Sequence, residues 1–375
     1  MHDYLSQQVA RDTRTLLGLP LDVTTEQGTA KHLAGCCASG QRCFLSTPNL
    51  NFLAASLTDP EFHRSVLQSD WVVADGMPLI WVGRLLGLPL PERVAGSGVF
   101  DLMRRGPIAR GKLKVFFFGG EAGVAERAAE VINAEQQGMT CVGWLSPGFG
   151  SVEEMSTPEI LEAINRTEPD FIVVALGAKK GQAWIMHNRE HLKAPVISHL
   201  GAVVNFVAGT VKRSPRWLQV IGAEWLWRMY EEPHLFKRYW SDGVALLRLM
   251  RHKVVPLWRY QRRWQSELTS TRVPKVTVAQ EDAHAVISVD GILHAPVLGA
   301  LKGAVISATE SHSSIEINLG KVRYVDAAAM GFFQVMTAAC ELTERKVRFS
   351  QVSAELEQLF RWYCTEYLLD VDPDR

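Results

Sequence analysis

Six short apolar runs punctuate the first two hundred positions of the chain: CFLSTP (43–48), WVVAD (71–75), KVFFFGG (114–120), MTCVGW (139–144), DFIVVALG (170–177) and PVISHLG (195–201). Their centres are almost continuously apolar rather than alternating. That pattern predicts strands covered on both faces, as in a parallel sheet. The segments between them, such as EAGVAERAAEVINAE (121–135), carry helical spacing with small, Ala-rich faces. Strand and helix in strict alternation predict an open, Rossmann-like α/β fold with a mostly parallel sheet.

Further along, HAVISVDG (284–291) and SSIEINLG (313–320) alternate as strands, and residues 325–346 read as a turn into a helix. KVRFSQV (346–352) then reads as a strand and AELEQLFRWYC (354–364) as a helix, which makes a second, smaller α/β domain. Between the two regions the texture changes. Residues 201–275 hold 14 Lys/Arg against 5 Asp/Glu, although the formal net charge of the chain is +0, and six of the 11 tryptophans fall between Trp217 and Trp264. Leu246, Leu249, Met250, Val254 and Leu257 recur at helical spacing among basic residues. A basic amphipathic helix with aromatic anchors suits an anionic membrane surface. Packing on its own domain and a nucleic-acid patch are the competing readings. The chain divides into a core (1–209), a Trp-rich basic helical appendage (210–264), a polar linker (265–275) and the small domain (276–375), in keeping with its 375 residues.

Polar residues and glycines collect where the apolar runs end: Ser46-Thr47-Pro48-Asn49, Asp75-Gly76, Gly119-Gly120, Gly177 and Gly201. In open α/β sheets the ligand crevice lies at the carboxyl ends of the strands. Any one Asp or Gly there is equally well explained as strand punctuation; five such ends favour a shared crevice. Asp75 is the single carboxylate among them, either a plain Asp-Gly turn or a group held for proton transfer.

Hydrophobic residues make up 47% and charged residues 21%, a globular balance that argues against disorder. The six cysteines form no C-x-x-C pair and show no histidine partner at zinc spacing, so no metal site is expected, and scattered thiols suit a reducing compartment. The N-terminus lacks a signal-peptide core, and no run of about 18 apolar residues is present. These features, with the basic appendage, predict a cytoplasmic, membrane-associated protein.

The motifs STPNLNFL (46–53), VVADGMPLIWVGRLLGLPLPERVAG (72–96), VFFFGGEAGVAERAAE (115–130), INRTEPDFIVVALGAKKGQAWI (164–185) and LGAVVNFVAGTVKRSPRWLQVIGAEWLWRMYEEP (200–233) resemble, in order, the WecG/TagA/CpsF glycosyltransferases. The resemblance implies transfer of a hexose or N-acetylhexosamine-type sugar from a UDP-sugar donor to a lipid-diphosphate-linked acceptor. Transfer would proceed with inversion and without metal or other cofactor, in the building of cell-surface polysaccharide. It implies Asp75 as base with Thr47 and Asn49 beside it. Gly76, Gly119, Gly120, Gly177, Gln182, Arg213, Arg228 and Arg238 would bind substrate, and the appendage would touch the membrane. A homo-oligomer is compatible with it, and a nucleic-acid partner is not expected.

The chain departs from that pattern at several places. Gly98 stands where the family has Asp, Gly181 and Gln182 where it has Gln and Glu, Asn205 where it has Asp, and Leu235 where it has Arg. The alternative these changes raise is a catalytically degenerate relative that binds a nucleotide sugar or lipid-linked glycan and acts as a scaffold. The tail resembles a STAS domain through VRYVDAAAMGFF (322–333), with Ala327 and Ala328 in place of the serines of a D-S-S-G turn. Alanine carries no hydroxyl, so a phosphorylation switch there is excluded, and a docking or allosteric module for a protein partner is implied.

Overall fold

A computed structural model describes residues 2–106, 111–211, 214–215, 218, 222–231, 236–268, 274–281 and 284–369. The chain opens with α1 (His2–Ala10) and a hairpin of β1 (Thr13–Leu16) and β2 (Leu19–Asp22). Then follow α2 (Glu26–Ser39), β3 (Cys43–Ser46), α3 (Leu50–Ser56), α4 (Pro60–Leu67), β4 (Trp71–Val72), α5 (Met77–Leu85) and α6 (Gly96–Arg105). The alternation continues through β5 (Leu113–Gly119), α7 (Val124–Glu135), β6 (Met139–Leu145), α8 (Pro158–Arg166), β7 (Phe171–Ala175), α9 (Ala178–Asn188), β8 (Val196–His199) and α10 (Gly201–Ala208).

Strands β3 to β8 form one six-stranded parallel sheet in the order β4-β3-β8-β7-β5-β6. Its apolar runs are divided residue by residue between two cores. Val115, Phe117, Phe171 and Val173 join Leu33, Val99, Ala128 and Val203 on one face, while Phe116, Phe118, Ile172 and Val174 join Trp184 and Ile185 on the other. Burial on both faces is the reason these strands read as unbroken apolar runs.

The appendage contains α11 (Glu224–Glu231), α12 (Phe236–Leu249) and α13 (Val255–Leu268), the last two joined through one π-helical turn, Met250–Val254. The C-terminal region has a four-stranded sheet ordered β12-β11-β10-β9, built from β9 (Lys275–Glu281), β10 (His284–Leu293), β11 (Ser314–Val325) and β12 (Lys346–Ser350). It is completed by α14 (Leu298–Ser311), α15 (Ala327–Leu342) and α16 (Ala354–Tyr363). Helix α13 runs through Leu268 and β9 begins at Lys275, so the expected linker 265–275 is shorter than its composition indicates. Strand β9 begins at the last residue of the segment expected to be linker, and β1 and β2 are only four residues each.

The C-terminal region is not a free module. Helix α15 is apolar all round and is buried on nearly every side, between its own sheet and the N-terminal hairpin. Leu5, Leu16 and Leu21 share one core with Ile287, Phe333 and Phe360. A Cβ added at Gly331 would lie 3.0 Å from the backbone nitrogen of Thr15 and 3.1 Å from the carbonyl of Thr13, so the helix touches β1 backbone to side-chain-free backbone. Gln334 Nε2 donates to the Gly18 carbonyl (2.7 Å), Gln68 Nε2 to Glu341 (3.0 Å) and Lys302 Nζ to the Arg11 carbonyl (2.7 Å). A cleft of about 940 Å³ lies along the same junction, lined by Pro60, Arg64, Thr337, Arg345 and Tyr367 among others, and by Ser314 and Lys346 at the amino ends of β11 and β12.

The appendage divides differently from its sequence pattern. Val254 and Leu257 are fully buried, and Leu246, Leu249 and Met250 pack on the same core. Tyr260 and Trp264 stack on Tyr324, and Lys253 Nζ donates to the Arg361 carbonyl (2.6 Å). The apolar stripe expected to meet a membrane is therefore an internal packing face. A second stripe faces outward on α12: Phe236, Trp240, Val244 and Leu247, with Trp240 69% and Leu247 71% exposed.

Candidate active site

Strand β4 ends at Val72, and the chain runs on through Val73 and Ala74 to Asp75 before α5 starts at Met77. Backbone bonds fix this passage: Val73 N donates to the Ser46 carbonyl (3.0 Å), Asp75 N to the Pro48 carbonyl (2.8 Å) and Val94 N to the Ala74 carbonyl (2.9 Å). Asp75 is thus held at the carboxyl edge of the sheet, between the ends of β3 and the segment leading to α6. Its Oδ2 accepts the Gly96 N–H at 3.2 Å, at the first turn of α6.

The expected neighbours converge there. A Cβ at Gly96 would meet Thr47 Cγ2 at 3.1 Å and Leu200 Cδ2 at 2.5 Å, so Thr47, Gly96 and the end of β8 are in direct contact. A Cβ at Gly76 would meet Asn49 Cα at 3.3 Å. Asn49 also caps α3, its Oδ1 accepting from Asn51 N (3.0 Å) and Phe52 N (3.1 Å), so that oxygen is engaged within the fold.

Electrostatics set Asp75 apart. Burial pushes its carboxyl up to about 7, against the lowering effects of Arg93 and the Gly96 N–H, while Glu224 and Glu26 raise it. Arg93 Nη2 is paired with Glu224 of α11 at 2.9 Å, and its charge is favoured by Asp75 and Glu26 as well. A carboxyl titrating near neutrality beside an arginine is suited to accept a proton at physiological pH. Arg93, Glu224 and Glu26 were not singled out in the sequence. Arg93 and Glu224 lie far apart along the chain, and no local spacing signals their pairing.

The appendage is fastened over this edge. Gly222, at φ +75°, sits against Met77 and Trp81 of α5, and the Asn51 side chain hydrogen-bonds Asp242 of α12. Arg238 is exposed on α12, with its guanidinium 5.1 Å from the Tyr239 ring centre. Arg228 lies on α11; Arg213 and Leu235 fall outside the described residues.

The glycine turns lie on the same sheet edge. Gly119 and Gly120 have φ of +91° and +84°, and a Cβ at Gly119 would strike the Ala175 carbonyl at 2.9 Å, so only glycine fits between the ends of β5 and β7. Gly177 opens α9 with free space where a side chain would be. Gln182 is placed otherwise than expected. It is 1% exposed, and its Nε2 donates to Ser46 Oγ (2.8 Å), so it braces β3 from within instead of presenting its amide to a ligand. The space beside Gly181 is filled by His199, whose Cδ2 would lie 2.3 Å from a Cβ there, with Nε2 bonded to the Leu176 carbonyl (2.6 Å).

One group of metal-ligand type does form, although cysteine spacing gave no hint of it. His32 and Cys36, one helical turn apart on α2, meet Cys43 at the start of β3, with His32 Nε2 3.8 and 3.9 Å from the two sulfurs. Hydrogen bonds from Cys43 and His32 bring the Cys36 thiol down to about 5. Two thiols and an imidazole are donors for a thiophilic ion such as zinc. This trio sits at the amino end of β3, opposite the edge that carries Asp75.

Comparison with known proteins settles the family. Residues 14–259 match the description "Glycosyl transferase WecG/TagA/CpsF family". The chain belongs to this glycosyltransferase family. Residues 276–369 match "Mlab, STAS domain", in agreement with the small α/β region. The N-acetylglucosaminyldiphosphoundecaprenol N-acetyl-beta-D-mannosaminyltransferase of Bacillus subtilis is 28% identical over 210 residues, 56% of this chain and 79% of that protein. The Staphylococcus aureus (strain MW2) protein of the same description is 24% identical over 249 residues, 66% of this chain and 90% of its own length. The matched region contains Asp75, Thr47, Asn49 and Arg93.

Proposed function

We propose that the protein transfers an N-acetylhexosamine-type sugar, N-acetylmannosamine being the first candidate, from a UDP-sugar to a lipid-diphosphate-linked N-acetylglucosamine. The observation that carries this reading is Asp75. It is a carboxyl at the strand edge, bonded to the first N–H of α6, pushed to about 7, and in contact range of the Thr47 and Asn49 turn through Gly96 and Gly76. In the proposed step the acceptor hydroxyl gives its proton to Asp75 as its oxygen bonds to the anomeric carbon. The bond from that carbon to the UDP oxygen breaks on the opposite face, which inverts the centre. The backbone N–H groups around Gly119, Gly120 and Gly177, with Arg238, are suited to receive the diphosphate without a metal.

The outward stripe Phe236, Trp240, Val244 and Leu247 is flanked by exposed Lys237, Arg238, Arg248 and Arg251. This supports peripheral docking on anionic lipid, where the acceptor resides. No helix among the described residues is long and apolar enough to cross a membrane. The STAS-like region, packed through α15 on the N-terminal hairpin, acts in this reading as a built-in brace for the catalytic core.

The direct test is transfer from UDP-sugars to a lipid-diphosphate N-acetylglucosamine by the full chain and by Asp75→Asn. Loss of about 10²–10⁴-fold in kcat is expected. Equal turnover removes Asp75 as base. Stabilisation by UDP-sugars with no transfer of any donor would instead mark a binding protein.

A further inference from the structure

Helix α6 begins with two consecutive backbone N–H groups, and each is held by a different carboxylate. Gly96 donates to Asp75 Oδ2 at 3.2 Å; Ala95 donates to Glu26 Oε1 at 3.1 Å. Glu26 comes from the first turn of α2, where Thr25 caps the helix by accepting from Gly28 N. Its own N–H donates to Glu92 Oε1 at 2.8 Å, so backbone and side chain both strap α2 to the 92–95 segment. The Glu26 carboxylate lies in space that a side chain at position 98 would take. A Cβ built on Gly98 would fall 2.4 Å from Oε1 and 2.5 Å from Oε2. Gly98 is therefore the opening through which a distant helix delivers a carboxylate to the site.

We infer that Glu26 is a positioning residue of the sugar-transfer site, a second carboxylate that shapes the 95–98 turn beside Asp75 and occupies the place vacated by the side chain of residue 98. This rests on the reading of Asp75 as general base. Four groups face that carboxyl: Arg93 and the Gly96 N–H favour its ionised form, Glu224 and Glu26 oppose it. Burial is the largest influence that raises the Asp75 carboxyl, and a negative charge on Glu26 adds to it in the same direction. Side chain and opening are complementary: glutamate at 26 requires the absence of a side chain at 98, and a carboxylate at 98 would make Glu26 redundant.

The test is a set of pH–rate profiles and melting curves for the full chain carrying Glu26→Gln, Glu26→Ala, Gly98→Ala, Gly98→Asp and the pair Glu26→Ala with Gly98→Asp. Glu26→Gln removes one of the two opposing charges, so Asp75 ionises more readily and the acidic limb moves to lower pH. Gly98→Ala displaces the Glu26 carboxylate without changing it, and shifts the limb in the same direction. Gly98→Asp alone crowds two carboxylates and lowers Tm. The pair returns both Tm and limb toward wild type, because the charge re-enters from residue 98. Coincident wild-type and Glu26→Gln profiles, or a pair no better than its single variants, overturn the inference. With Asp75→Asn inactive, such a result rejects the role of Glu26 alone, whereas turnover by Asp75→Asn rejects the base itself.

Discussion

Arg93 pairs with Glu224 at 2.9 Å while its charge also faces Asp75, so one guanidinium ties the appendage to the proposed base. Arg93→Leu removes the largest influence that lowers the Asp75 carboxyl, whose value then rises above about 7. The base would be protonated at neutral pH. Activity should fall at pH 7 and recover in part above pH 8, as read from a pH–rate profile.

Asp75 carries a stability cost that follows from the same shift. Its folded value is raised to about 7 from an ordinary value of 3.8. Between these values the folded state holds a proton that the unfolded state has released, so this contribution to stability is full at low pH and is lost as pH rises through about 7. Asp75→Asn should therefore raise Tm at pH 8 by more than at pH 5, while abolishing transfer. Equal effects on Tm at both values would place the carboxyl in ordinary solvent contact.

Gly331 reports on the brace between the two regions. Any side chain there meets the backbone of Thr13 and Thr15, which cannot swing aside. Gly331→Val should destabilise by about 1–3 kcal/mol, the range for overpacking. The loss is measured by denaturant unfolding, and proteolysis should open α15 and the N-terminal hairpin together. Independent unfolding of the two regions would contradict a shared core.

The outward stripe of α12 gives a membrane test that leaves the core intact. Replacing Phe236, Trp240 and Leu247 with serine should release the protein from anionic vesicles with little change in Tm, because all three side chains are exposed. Substituting Val254 and Leu257 should unfold the C-terminal junction, since both are fully buried. Retention of the triple variant on vesicles, with wild-type salt dependence, would assign membrane contact to another surface.

The chain pattern by itself carried the architecture of the core and the gathering of polar residues and glycines at the carboxyl ends of its strands. Unbroken apolar runs such as KVFFFGG require cover on both faces, and Asp75, Gly119 and Gly177 fall at strand ends because those runs stop there. It also carried the small domain, through the alternation of HAVISVDG and the all-apolar helix after Asp326. Tertiary structure decided which of two stripes on the appendage helix is buried. Periodicity shows that a face is apolar but not what covers it, and here Leu249, Val254 and Leu257 are covered by the C-terminal region. It decided that Gln182 braces Ser46 and that His199 fills the space beside Gly181. It decided, too, that a glycine at 98 is not simply a missing carboxylate. Glu26 is 72 positions away in sequence, and only the packing of α2 on α6 brings its oxygens to that spot. Charge placed by long-range contact leaves no trace in local spacing, which is why the environment of Asp75 became legible only in the folded chain.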